Sequence, residues 1–364
     1  MTCSPTAVHQ PGQPPAGARA RRASGRWRAA LALAVVPVAL LADAAPARVV
    51  TFDYVTQVGP VEGDAPVDIW IPLAAQTERQ QVLEEHIDSA VPGRIGIEPR
   101  YGNRFWHATL PAAVVRAGVA ISVRTTVARG AYRVAVPQQV ASLSEQEREQ
   151  LALFLGANQK VPVGHPILDP ILAEVRSAVP GDDLPALARG IYDWVVDNIE
   201  YKKVGTGWGN GDTFWACREG YGNCTDFHAL FISLARTVGI PARFEIGFPI
   251  PQDRDSAQIG GYHCWVEFYL PGAGWIPVDA SEAAKHPEQR DYLFGGQGAD
   301  RIMFSMGRDL VLDAAQRSGP LNYFVYPHLE RAGQAYRGPL ATRFSFAQAP
   351  EQPALADAAG HAPR

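Results

Sequence analysis

Cys224, His263 and Asp279 are the residues of this 364-residue chain whose types and settings could do covalent chemistry. A thiolate attacks a carbonyl carbon, an imidazole carries the proton, and a carboxylate holds that imidazole in one tautomer. Cys224 lies in Tyr221-Gly222-Asn223-Cys224-Thr225-Asp226-Phe227-His228, which reads as a tight turn feeding a helix. Asn223 is the N-cap, and Asp226 three positions later closes a capping box with Asp in place of Glu or Gln. A cysteine at the first helical position meets the positive end of the helix dipole and unpaired N–H groups, which favour the thiolate. The alternative reading of a lone cysteine is a small buried hydrophobe.

Two elements must position these groups. Phe227, Leu230, Phe231, Leu234, Ala235 and Val238 recur at helical spacing behind Cys224, predicting one buried stripe, and Gly239-Ile240-Pro241 stops the helix. Downstream, Gly261 to Tyr269 and Trp275 to Asp279 read as strands joined through Leu270-Pro271-Gly272-Ala273-Gly274, a hairpin. With the turn centred on Pro271, His263 and Asp279 are direct cross-strand partners on one face, their Cβ atoms about 5 Å apart. A slip of one residue sends them to opposite faces.

Four short motifs stand in one order: Gly222-Asn223-Cys224-Thr225-Asp226-Phe227, Gly239-Ile240-Pro241-Ala242-Arg243, Tyr262-His263-Cys264-Trp265-Val266-Glu267, and Gly274-Trp275-Ile276-Pro277-Val278-Asp279. Together, over residues 184–282, they resemble the transglutaminase-like superfamily of papain-type thiol enzymes. The resemblance implies Cys224 as nucleophile, His263 as general base and acid, and Asp279 as its orienting partner. It implies thiol-dependent acyl transfer on amide bonds through a thioester, with no cofactor and no metal. Hydrolysis, as in a peptidase or amidase, is preferred over transamidation because no calcium-loop pattern is recognisable. An indole upstream of the nucleophile can help hold an oxyanion in such enzymes. Trp208, in the Gly205–Gly211 loop, is the candidate here, whereas Trp215 reads as core.

The N-terminus carries five arginines between 19 and 28, an apolar stretch from Ala29 to Leu41, and small residues near Ala44. That is a secretory signal peptide over 1–44, with an apolar run too short for a permanent membrane anchor. The formal net charge is −4, and cleavage would make the chain more acidic. No basic patch offers itself to nucleic acid. The expected location is therefore periplasmic or secreted, and the expected partner a peptide, protein or cell-wall substrate. Cys217, Cys224 and Cys264 would remain after export. Three unpaired thiols are expected, with a Cys217–Cys264 disulfide as the alternative.

The fold class read from these patterns is α+β: a helix bearing the nucleophile, packed on an antiparallel sheet, preceded by a β-rich sandwich-like domain. The first domain covers 46–140, where short β runs are separated by Gly and Pro and where Trp70, Trp106 and His107 are structural. The second covers 141–346 and opens on the capping box of Ser144 and Glu147, with helices over 170–177 and 184–199. Strands after residue 291 are expected to extend its sheet, and 347–364 to be a disordered tail. Asp226 reads as a cap and His228 as a helix-surface residue. A non-catalytic binding module of the same fold is the competing reading. A metal site built from Cys217, Cys224, His263 and Cys264 matches no tight zinc spacing.

Overall fold

The computed structural model of the protein describes residues 47–349 apart from 180 and 182. The expected signal peptide lies outside the described residues, as does the tail from residue 350. The fold is α+β. Its sheets are antiparallel, with one short parallel ladder between Glu200–Tyr201 and Tyr221–Gly222.

The helix Cys224–Thr237 is the hub. Sequence periodicity predicts one buried stripe, yet every residue from Cys224 to Arg236 is buried. The reason is that the helix is covered on several sides. A four-stranded sheet lies against it in the order Gly274–Val278, His263–Leu270, Ala242–Pro249, Arg301–Met306. Helices Leu184–Asn198, Thr213–Glu219 and Ala280–Lys285 pack around the rest. Polar side chains on so enclosed a helix need internal partners. Ser233 meets the Thr213 hydroxyl at 2.8 Å, and Arg236 donates to the carbonyls of Gly156 and Ala242.

Beside a two-stranded pairing of Tyr132–Arg133 with Gly296–Gln297, two five-stranded sheets hold most of the remaining β structure. One runs Ser256–Ile259, Leu340–Gln348, Arg48–Val58, Val119–Arg129, Gln80–Ser89, and the other Gln334–Ala335, His328–Arg331, Val67–Pro72, Arg104–Leu110, Arg94–Ile97. Each thus joins strands from before residue 130 to strands from beyond residue 255. The boundary expected near residue 141 therefore does not coincide with a boundary between sheets. Of the segments after residue 291, Arg301–Met306 extends the four-stranded sheet, while 328–335 and 340–348 complete the other two. Asp291–Gly295 is turn apart from Phe294, which forms an isolated bridge to Val278. Ala347 and Gln348, expected in the tail, sit in the last strand, where Phe344 and Phe346 are buried. Phe248 of the four-stranded sheet joins the sheets, its ring 5.0 Å from Phe52 and 4.4 Å from Phe344.

Candidate active site

The start of the Cys224 helix is built as its sequence requires. The Asn223 side chain accepts from the Thr225 N–H at 2.9 Å, and the Asp226 carboxylate accepts from the Asn223 N–H at 3.0 Å, which closes the capping box. Asp226 does more than cap. Its carboxylate also accepts from the Gly209 and Gly211 N–H groups at 2.6 and 2.9 Å, anchoring the Gly205–Gly211 loop to the helix start. Tyr323 pins the same loop through the Gly209 carbonyl at 3.0 Å. Gly222 is needed for close approach, since a Cβ there would run into the Asp226 side chain.

The hairpin differs from the sequence expectation by one step. Val266 faces Val278 and Leu270 faces Gly274, so the turn is centred on Gly272, not Pro271. Gly274 at φ 77° supplies the left-handed residue that closes this three-residue loop. Shifting the centre by one residue moves the partner by two, which keeps His263 and Asp279 on one face. They are not cross-strand partners, however. Asp279 has left the ladder to cap the helix Ala280–Lys285, accepting from the Glu282 N–H at 3.0 Å. From there its Oδ2 lies 2.7 Å from His263 Nε2.

The three expected site residues therefore meet at one place, all buried: Cys224 is 2% exposed, His263 7% and Asp279 2%. Burial alone pushes the Cys224 thiol up, but hydrogen bonding with Cys264 and His263 and the nearby imidazole charge outweigh it, holding the thiol well below its ordinary value. Burial pulls the His263 ring down. The Asp279 charge and hydrogen bond, with the contact to Cys224, overcome this and push it up to about 10. Burial likewise opposes ionisation of Asp279, and His263 and His228 reverse that, keeping it well below the carboxylate range. These shifts all favour the charged forms: thiolate, imidazolium and carboxylate.

Sequence reading missed four further members. His228 is fully buried, not a surface contact, because the helix is enclosed. Its Nδ1 lies 3.3 Å from Cys264 Sγ and its Nε2 3.5 Å from Asp279 Oδ1. Its position four residues after Cys224, on the same helical face, was the available signal. Arg301 donates to Asp279 Oδ2 at 3.1 Å and Ser281 to Oδ1 at 3.1 Å. Tyr262 accepts from the Asn223 amide at 3.0 Å, beside the thiol. Trp208 does not stand free as an oxyanion donor, since its indole N–H is bonded to the Gly205 carbonyl at 3.1 Å.

Cys217, Cys224 and Cys264 are all free thiols, and Cys264 faces His228 and Cys224 rather than Cys217. A cavity of about 250 Å³ opens at His263, lined also by Glu282, His286, Asp300 and Arg301. Among the described residues no group of three or more His, Cys, Asp or Glu is arranged to hold a metal ion. No helix among them is long and apolar enough to cross a membrane.

The profile of the transglutaminase-like superfamily matches residues 174–280, a span that contains Cys224, His263 and Asp279. This chain carries a transglutaminase-like core. Outside that core the likeness extends further. A protein of Haemophilus influenzae described as uncharacterized is 28% identical over 324 residues, 78% of this chain and 85% of its own length. A solved structure from Cytophaga hutchinsonii, named as a candidate cysteine protease, covers 86% of this chain and 95% of its own at 20% identity, with a TM-score of 0.54. That overlap extends the shared fold well beyond the transglutaminase-like core. The periplasmic domain of TgpA from Pseudomonas aeruginosa covers 68% of this chain and 92% of its own at 16% identity, with a TM-score of 0.29.

Proposed function

We propose that this chain is a thiol-dependent acyl-transfer enzyme acting on amide bonds of a peptide, protein or cell-wall substrate in an export compartment. The observation that carries the reading is the pairing of His263 Nε2 with Asp279 at 2.7 Å, beside a helix-start Cys224 whose thiol the His263 charge helps hold low. In this reading the Cys224 thiolate adds to the carbonyl carbon, and the oxyanion is held by N–H groups at the start of the helix. The His263 imidazolium gives its proton to the leaving amine as the C–N bond breaks, leaving a thioester. His263, now neutral, takes a proton from water, which adds to the thioester and expels the thiolate. An amine in place of that water gives transamidation. Hydrolysis is preferred, since the chain shows no calcium-loop pattern.

A second reading, a binding module that keeps the fold without turnover, is favoured by the burial of Cys224 at 2% exposure. Iodoacetamide separates the two. Cys217 is an internal control, because burial pushes its thiol up to about 11. Enzymatic function predicts that Cys224 alkylates at least about tenfold faster than Cys217 at pH 7, and that amide hydrolysis is lost in Cys224→Ala. Equal, slow labelling of both thiols rejects the enzyme in favour of the binder.

A further inference from the structure

On the sheet face that carries Trp265 and Glu267, away from the Cys224 helix, lies a second cavity of about 550 Å³. Its polar lining includes Arg79, Arg129, Tyr132, Arg243, Glu245 and Glu267. The two buried acids there are already satisfied, while a third, Glu78, lies exposed at the rim. Glu245 has Arg243 at 3.2 Å on one oxygen and accepts from the Trp265 indole at 2.6 Å on the other. Glu267 accepts from the Tyr132 hydroxyl at 2.6 Å and pairs with Arg243. What remains unmet is a donor. Arg129 is 3% exposed; its guanidinium donates to the neutral amides of Gln80 and Gln297 and lies over the Trp265 ring at 5.7 Å. Its Nε–H has no acceptor, and it has no carboxylate within ion-pair range among the described residues. Glu245 and Glu267 act on the Arg129 charge only at a distance, and a buried guanidinium with an unmet N–H and no direct ion pair favours an anion beside it. Arg79, at the exposed rim, lies over the Tyr132 ring at 4.5 Å and is likewise without an ion-pair partner among the described residues.

We propose that this cavity is a binding site for a small organic carboxylate with an apolar body, its carboxylate held by Arg129 and Arg79. The volume suits a small-molecule site. Trp275, Val134, Met303 and Met306 supply the apolar wall. A cationic ligand is disfavoured because both oxygens of each lining carboxylate at depth are occupied. The site is separate from Cys224, so it stands or falls apart from the proposed enzymatic activity.

Calorimetric titration with 3-phenylpropionate tests it, with 3-phenylpropionamide as the neutral match. The acid should bind once per chain and the amide at least about tenfold more weakly. Arg129→Gln should lose at least about tenfold and the rim variant Arg79→Gln about threefold, while Cys224→Ala binds like the natural chain. The dipeptide Ala-Phe and its C-terminal amide distinguish the source. Tighter binding of the dipeptide acid assigns the site to peptide C-termini, and tighter binding of phenylpropionate assigns it to free acids. No binding of either acid, or equal binding of acid and amide, overturns the proposal. Should Arg129→Gln fail to fold, unchanged binding by Arg79→Gln overturns the assignment of the carboxylate to this rim.

Discussion

Two cysteine–histidine pairs converge on one carboxylate, and they differ in nearly every respect that matters for chemistry. Cys224 begins a helix, and its imidazole, His263, lies 2.7 Å from Asp279 and lines a cavity. Cys264 sits within a strand, and its imidazole, His228, is enclosed and lies 3.5 Å from Asp279. Burial and the neighbouring Cys224 push the Cys264 thiol well above its ordinary value, while Cys224 is held well below. The same residue types thus give opposite thiols. Helix-start placement and the His263 charge distinguish the first pair, so residue type alone does not set the ionisation of a thiol.

The largest effect expected from this contrast is an asymmetry between the thiols. Cys224→Ala should abolish amide turnover, whereas Cys264→Ala should retain it to within about tenfold. Comparable losses from both would dissolve the distinction. Asp279→Asn strikes both pairs at their shared partner. A drop in kcat of about 10³–10⁴-fold is expected, by analogy with removing the orienting carboxylate of other triads, with Cys224 alkylation at pH 6 falling alongside.

His228→Ala sharpens the comparison from the enclosed side. It should cost stability, about 2–4 kcal/mol by denaturant unfolding, through a buried cavity and lost polar contacts. Turnover should change by less than tenfold. A catalytic loss as large as that of His263→Ala would make the second pair a working one.

The pH dependence follows from the same shifts. The folded-state pKa of His263 is raised to about 10, so its stabilising contribution is full below the ordinary imidazole value and is lost as pH rises through about 10. Asp279 is depressed, so its contribution is present above the ordinary carboxylate value and fades only as pH falls below it. Melting temperature should therefore decline from about pH 6.5 to about pH 10 in the natural chain and less so in His263→Gln. The smallest effect is Gly222→Ala, where a Cβ against the Asp226 side chain should cost about 1–2 kcal/mol and loosen the Gly205–Gly211 loop to proteolysis.

What the sequence made legible was local. The capping box at Asn223 and Asp226, the helix stop at Gly239-Ile240-Pro241 and the motif order all depend on near neighbours, and the structure reproduces each. The hairpin was legible as to face but not register, because Pro271 and Gly272 both suit a turn centre and only the whole ladder chooses between them. Residues that reach the site from afar left no such trace. Arg301 comes from the opposite edge of the four-stranded sheet. The edge strand Gln80–Ser89 went unread because it carries Glu84, Glu85, His86 and Asp88, the charges an edge uses against unwanted pairing. The strand Leu340–Gln348 was taken in part for a tail because only Phe344 and Phe346 mark its buried side.

That last strand has a consequence for how the chain is made. Val50 faces Gln348 at the end of a ladder that pairs Val50–Val58 with Leu340–Gln348, and Arg48 donates to the Gln348 side-chain amide at 3.0 Å. Synthesis runs from the first of these strands to the last, so the opening strand must wait, one edge unpaired, until nearly all of the protein has emerged. Closing so long a loop is slow and favours folding after release. The delay suits a polypeptide threaded through a narrow pore before it folds, and it places both strand ends side by side, where a short engineered linker could join them and new termini be opened elsewhere.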